Sequence, residues 1–201
     1  MKLVLISDTH TKHAQLELPE GDILIHAGDY SFNGTESERM SFYRWFNSQP
    51  HKHKVFIAGN HDFGESEAPK FNGSTYLYES GVEVEGLKLW GSPWTPEFGE
   101  WAFMYDRATG LERWANIPAG TDVLITHGPA LGFRDRVAGY RDQVGCYDLR
   151  NKVLEVKPKV HVFGHIHGSY GIEVFNGTTF VNASVVNEAY KISNQPIVVE
   201  L

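Results

Sequence analysis

Five short apolar runs in this chain each stop at a cluster of aspartate, asparagine or histidine. Residues 2–6 lead into Asp8-Thr9-His10, 22–26 into Gly28-Asp29, and 54–58 into Gly59-Asn60-His61-Asp62. Residues 122–126 lead into His127-Gly128, and 159–163 into Gly164-His165-Ile166-His167-Gly168. Runs of this kind suit strands buried on both faces. In α/β sheets, ligands collect at the carboxyl ends of such strands. The expectation is a single sheet with its polar clusters gathered along one edge. In the last cluster, residues two apart in an extended segment point the same way, so His165 and His167 emerge together. Gly164 and Gly168 leave the backbone beside them uncrowded. Two imidazoles at one strand end make a poor core and a good metal clasp.

The rest of the pattern is helical or loop-like. Thr35 and Glu38 form a capping box ahead of Met40, Phe42, Tyr43, Trp45 and Phe46, which predicts an amphipathic helix over 35–48 that closes near Pro50. Short strands are expected at 75–78, 82–85 and 87–90, joined by turns at Gly81 and Gly86. A long loop follows from Gly91 to Tyr105, then a short helix near 111–115. Residues 130–145 read as a surface loop and 147–156 as a helix. Strands are expected at 170–175, 178–182 and 196–200, with Asn176-Gly177 a hairpin turn. No repeat and no Ser/Pro-rich linker interrupts the chain, so residues 1–201 read as one domain. His26 falls inside a strand and reads as a core or supporting histidine, whereas His13, His51, His53 and His161 read as loop or surface residues.

Composition narrows the classes of function. The chain is 41% hydrophobic and 21% charged, enough to bury one core. No apolar run approaches the roughly 18–20 residues of a membrane span. The first residues run straight into Ser7-Asp8, which reads as a strand and not a signal peptide. A single cysteine, Cys146, excludes an internal disulfide, reads as structural, and fits a reducing compartment such as the cytoplasm. The formal charge of −7, with no basic stripe, argues against stable binding of duplex nucleic acid.

Asp8, His10, Asp29, Asn60, His127, His165 and His167 form a mixed oxygen and imidazole set that suits Mn, Fe, Zn, Co or Ni. Seven ligands exceed one tetrahedral site and suit two divalent ions about 3.5–4 Å apart, sharing a carboxylate and a water. Such ions also reverse the local field, so an acidic protein can still draw in a small anionic substrate. Trp94, Trp101, Phe103 and Tyr105 either line the substrate pocket or form loop core.

The blocks Asp8-x-His10, Gly28-Asp29, Gly59-Asn60-His61-Asp62, His127-Gly128 and Gly164-His165-x-His167 together resemble the signature of the calcineurin-like metallophosphoesterases. More loosely, Gly91-Ser-Pro-Trp94, Trp101-Ala-Phe103, Asn182-Ala-Ser184 and Pro196-Ile-Val198 resemble the small metallophosphoesterase-domain branch. The resemblance implies a four-layer αββα sandwich, two mixed β-sheets flanked by helices. It implies that Asp8, His10 and His167 hold one metal ion, Asn60, His127 and His165 a second, and that Asp29 bridges them. Some proteins of the small branch lack the first histidine of the last block, which this chain keeps as His165.

By the same resemblance, a hydroxide bridging the ions attacks phosphorus, His61 protonates the leaving group, and Asp62 orients His61. The protein phosphatases of the superfamily carry an arginine shortly after the Gly-Asp block; Gly28-Asp-Tyr-Ser-Phe-Asn33 has none. The expected substrate is therefore a small phosphodiester such as a cyclic nucleotide, with Trp94 and Trp101 as candidate contacts and Mn the first choice of metal. The alternatives are a phosphomonoesterase acting on a nucleotide or small phosphate ester, and a catalytically idle scaffold of the same fold.

Overall fold

The computed structural model describes residues 1–65, 73–137, 139 and 142–201. In chain order its strands are β1 (Lys2–Ile6), β2 (Ile23–Ala27), β3 (His53–Ile57), β4 (Thr75–Tyr76), β5 (Ser80–Val84), β6 (Leu87–Ser92), β7 (Thr95–Pro96), β8 (Met104–Tyr105), β9 (Val123–Thr126), β10 (Val160–Phe163), β11 (Gly171–Phe175), β12 (Thr178–Asn182) and β13 (Ile197–Glu200). Its α-helices are α1 (Glu36–Ser48), α2 (Gly110–Ala115) and α3 (Tyr147–Val156).

The strands build two large mixed sheets, with order β13-β1-β2-β3-β4 in one and β11-β12-β10-β9-β6-β5 in the other. The clusters that end apolar runs therefore belong to two sheets. This corrects the expectation of a single one. Side-chain alternation explains why both are covered on each face. Leu3 and Leu5 of β1 and Ile23 and Ile25 of β2 enter the core between the sheets, where Val123, Ile125, Val160 and Val162 meet them. Val4, Ile6 and Leu24 point outward onto Phe42, Tyr43 and Phe46 of α1. On the far side, Leu124, Phe163 and Phe180 pack on Trp114 of α2 and Leu149 and Val153 of α3. The layers run helix, sheet, sheet, helices. The capping box holds: Thr35 accepts from the Glu38 amide, and Glu38 returns a carboxylate to the Thr35 amide.

Several local expectations change. Gly81 lies inside β5 opposite Trp90; the turn is Glu85-Gly86, with φ of 52° and 82°. Asn176-Gly177 repeats that geometry at 49° and 86°, as a two-residue hairpin demands. β6 runs on to Ser92, and Thr95–Pro96 pairs with Met104–Tyr105, so part of the long loop is ordered. The stretch 130–145 is not wholly surface, and its positions 138, 140 and 141 lie outside the described residues. Phe133 stacks on Phe180 at 3.8 Å, and Asp135 accepts from the Gly132 and Gly145 amides.

Of the histidines expected at the surface, His13, His51 and His161 are buried, and only His53 is half-exposed. Strand parity explains His161: with Val160 and Val162 facing the other sheet, it must face the helices, beside Phe163 and Phe180. His26 sits on α1 by the same parity, 4.9 Å from Phe42 between ring centroids.

Burial holds His161 neutral, its pKa pushed down from 6.5 to about 3. Between those values the unfolded chain takes up a proton that the folded chain refuses. Stability should thus be full above pH 6.5 and fall as pH drops below it, by up to about 1.4 kcal/mol per pH unit for this group. Urea unfolding at pH 7 and pH 5 should show this loss. His161→Phe should reduce its slope by about one proton, since Thr126 keeps its bond to the Gly128 carbonyl at 2.8 Å.

Candidate metal centre

β1, β2 and β3 lie parallel in one sheet, as do β9 and β10 in the other. Their carboxyl ends meet at one seam. The Asp8 carboxylate accepts from the His165 amide at 3.0 and 3.1 Å, and His127 Nδ1 lies 2.9 Å from the Ala27 carbonyl. All seven expected ligand residues come together here, and six of them supply overlapping trios: Asp8, His10 and His167; Asp29, His127 and His165; and His10 and Asp29 with His61. Within each trio the ligand atoms lie within 4.8 Å of one another. Asn60 joins through Oδ1, 2.9 Å from His127 Nε2.

The hydrogen bonds settle the tautomers. A carbonyl oxygen only accepts, so His10 Nδ1 donates to Ser31 (3.2 Å), His127 Nδ1 to Ala27 (2.9 Å) and His61 Nδ1 to Phe32 (2.7 Å). The Nε2 lone pairs are left facing the cluster. There His127 Nε2 meets Asn60 Oδ1 and, at 3.3 Å, Asp29 Oδ2. His10 Nε2 meets His167 Nε2 at 3.3 Å and Asp29 Oδ2 at 3.8 Å. His167 Nε2 meets Asp8 Oδ1 at 3.6 Å.

Lone pairs that converge require a positive charge between them, a proton or a metal ion. Two ligand atoms on one ion at about 2.0–2.2 Å sit roughly 3–3.5 Å apart. The 3.3 Å pairs fall in that range and the 3.6 and 3.8 Å pairs just beyond it, and the donor set fits a divalent transition ion. Asp29 is the shared member: Oδ1 accepts from the His61 amide at 2.8 Å, which leaves Oδ2 facing both His10 and His127.

Charge states follow the same geometry. Burial alone would raise the pKa of Asp8, but the hydrogen bond and charge of His167 hold it well below the carboxylate range. Burial is likewise outweighed at Asp29, by His127 and His10. His127 is pushed up to about 9: burial opposes its charge, but Asp29, and then Asp8, prevail. Burial keeps His165 (about 3) and His10 (about 4) neutral, as ligands must be.

The backbone is specialised as well. Asp8, His10, Asp29 and His165 take φ of 55°, 39°, 57° and 66°, each a strained conformation of about 1–3 kcal/mol. A Cβ on Gly59 would stand 2.4 Å from Asp29 Oδ1, and one on Gly164 would stand 2.1 Å from Asp8 Oδ2. Asn182 ties the last block down, donating to the Ile166 carbonyl at 2.9 Å.

Two sequence expectations fail. Asp62 does not orient His61, which the Phe32 carbonyl holds; its oxygens accept instead from the amides of Gly59, Asp29 and Ser31 and from the Ser31 hydroxyl. It braces the loops beneath the site. Burial, and then Asp29, push its pKa up to about 7. Trp94 does not line the cleft; it packs on Phe103, with the Arg113 guanidinium 4.0 Å above its ring.

Trp101 does line the cleft, a cavity of about 410 Å³ over the cluster, together with Pro96, Phe98, Arg107, Ile166 and Tyr190. Phe98, Arg107 and Tyr190 carried no sequence signal, since each lies away from the metal-bearing motif blocks. Cys146 is buried, accepting from Tyr105, Trp114 and the Leu149 amide in the first turn of α3.

Comparison with known proteins agrees with this geometry. A family model described as calcineurin-like phosphoesterase matches residues 1–169. Metallophosphoesterase domain-containing protein 1 of Homo sapiens is 40% identical over 230 residues, covering 100% of this chain and 71% of that protein. Among solved structures, phosphopantetheinyl hydrolase from Mycobacterium tuberculosis superposes with a TM-score of 0.60 at 15% identity, covering 94% of this chain and 90% of that one. TT1561 of Thermus thermophilus gives 0.61 at 10%, covering 90% and 88%. Such distant likenesses establish the fold, the two-sheet sandwich of the metallophosphoesterases. The sequence matches go further: this chain belongs to the calcineurin-like phosphoesterase family, hydrolases of phosphate esters that work with divalent metal ions.

Proposed function

We propose that residues 1–201 act as one domain, a dinuclear phosphodiesterase for small diesters such as cyclic nucleotides. The observation that carries this is Asp29 Oδ2, one buried oxygen that faces the lone pairs of both His10 and His127. Asp8, His10 and His167 would hold one ion, Asn60, His127 and His165 the other, and Asp29 would serve both, with Mn the first choice and Fe, Zn, Co or Ni the alternatives. Bound there, the ions supply positive charge for the phosphoryl oxygens and lower the pKa of a water. A cytoplasmic setting belongs to the same proposal and rests on the unpaired Cys146.

The chain's own residues do the rest. Hydrolysis breaks the bond from phosphorus to the departing oxygen, and water supplies the replacement oxygen. His61, with Nδ1 committed to Phe32, presents Nε2 to the departing oxygen; a proton that Nε2 takes up from solvent is delivered there as the bond breaks. Asp62 acts as a positioning residue through the Gly59 and Asp29 amides.

Diesters are favoured over monoesters by the walls. A diester is a monoanion with organic groups on two sides, and Pro96, Phe98, Trp101, Val144 and Ile166 offer apolar surface to them. Among the described lining residues, Arg107 is the one lysine or arginine, and its guanidinium is engaged by the Val144 and Gly145 carbonyls. The phosphomonoesterase alternative draws on the same ions and on Arg107 turned toward a dianion.

Protein reconstituted with Mn should hold two ions per chain by elemental analysis. Asp29→Ala should lower occupancy of both sites and His165→Gly of one; equal loss from the two variants would contradict the shared role of Asp29.

For His61→Ala the metal content should stay near normal. The rate on alkyl or ribosyl diesters should drop by about 10²–10⁴-fold, and by much less on p-nitrophenyl esters, whose phenolate departs unaided. An identical loss on both substrate types would mean that the proton comes from elsewhere.

A further inference from the structure

Beyond residue 169, where the family match ends, the chain returns to the cleft. The loop 187–191 is closed on itself: the Asn187 amide donates to the Lys191 carbonyl at 3.0 Å, and Asn187 Oδ1 accepts from the Ala189 and Lys191 amides at 3.0 and 3.1 Å. Tyr190, on that loop, is held at φ 56°, a backbone that a bulky side chain adopts only where its surroundings impose it. Its ring reaches the site, with centroid distances of 4.8 Å to His10, 5.2 Å to His167, 5.2 Å to Phe32 and 6.1 Å to His61.

A second aromatic meets His61 from a different direction. Trp101 lies 4.5 Å from the His61 ring at 35°, and its other ring contact among the described residues is with Phe63. Among the ring contacts of the described residues, none joins it to His10, Phe32 or Tyr190, which contact one another. His61 therefore meets two aromatic groups whose rings do not contact each other. The loop carrying Trp101 is pinned next to it, where the Ala102 amide donates to the Asn60 carbonyl at 3.1 Å. Of the aromatic residues that line the cleft, Trp101 remains 39% exposed and Phe98 55%. Large aromatic faces left open together around a cleft point to a ligand that covers them.

We infer that Trp101, Phe98 and Tyr190 form the subsite for the departing alcohol and that the alcohol carries a planar ring, aryl or nucleobase, lying against Trp101 in the cleft that Tyr190 also lines. The assignment rests on His61 serving the departing oxygen, because the group attached to that oxygen must then lie beside His61. An aromatic face gains most from a flat π-system and less from a saturated ring of the same size.

Binding of matched esters to the full chain, measured by calorimetry at one Mn concentration, tests this apart from turnover. The pairs are phenyl against cyclohexyl phosphate, and adenosine 5′-monophosphate against ribose 5-phosphate; within each, only the planar group changes. The planar member should bind about tenfold or more tightly. The pair with the larger preference tells a nucleobase from a simple aryl group. Trp101→Ala should abolish the preference, Trp101→Phe should restore most of it, and Tyr190→Leu should reduce it. Equal affinity within both pairs on the unaltered protein overturns the subsite, as does a preference that survives Trp101→Ala. A preference with no hydrolysis of any ester would sink the phosphoesterase reading and leave the aromatic subsite standing.

Discussion

Everything at the seam follows from the need to hold two carboxylates and several imidazole lone pairs within a few ångströms of one another, out of water. Asp8 and Asp29 are fully or almost fully buried. Isolated charges in such a place are strongly unfavourable unless paired. Pairing here is with histidines whose Nε2 atoms are turned inward because backbone carbonyls take their Nδ1 protons. Those carbonyls, Ala27 and Ser31, flank Asp29 itself. One turn of chain after β2 therefore supplies the shared carboxylate and also sets the tautomers of the residues that share it. The left-handed backbone at Asp8, His10, Asp29 and His165 is the conformational cost of aiming these side chains. Metal binding would offset that cost in the folded state alone.

Two sheets are needed for this, and the reason is geometric. A single parallel sheet spaces successive strand ends about 4.8 Å apart along a line, which spreads five clusters too widely for one compact centre. Two sheets packed face to face bring the ends of β1, β2 and β3 opposite those of β9 and β10. Asp29 from one then reaches His127 from the other at 3.3 Å. The glycines at the crossing points serve that approach. Gly59 and Gly164 lie where any side chain would occupy the space of a carboxylate oxygen.

Most of this was legible from the sequence because the clustered aspartates and histidines directly follow short apolar runs, and that pattern locates strand ends. Partition into two sheets was not, since a run buried on both faces looks the same in either; it came only with the family resemblance. Burial of His161 was missed for a related reason: parity gives the face of a strand, but not what covers it. Asp62 was misassigned because its neighbour in sequence, His61, is not its neighbour in hydrogen bonding; a residue inside a tight turn serves the amides of that turn. Trp94 and Trp101 differ only in loop path, which neither composition nor spacing encodes. Tyr190 had no signal, being one tyrosine in a polar stretch after the last recognisable block.

The division between legible and illegible residues has a physical basis. Metal ligands are constrained by coordination distances and must come from rigid strand ends, so their spacing recurs and can be recognised. Cleft walls need only present a shape and a surface, and loops of many sequences can do that. Here the walls come from the Phe98–Trp101 stretch, the segment around Val144 and the Tyr190 loop, none of them part of the metal-bearing blocks. With the ions supplying the charge an ester needs, these walls are free to be apolar and aromatic in a protein of net charge −7. On the subsite proposed above, attraction for phosphate and choice among phosphate esters would reside in different parts of the chain. A change at Trp101, whose ring contacts are with His61 and Phe63, would then redirect the second while leaving the first in place.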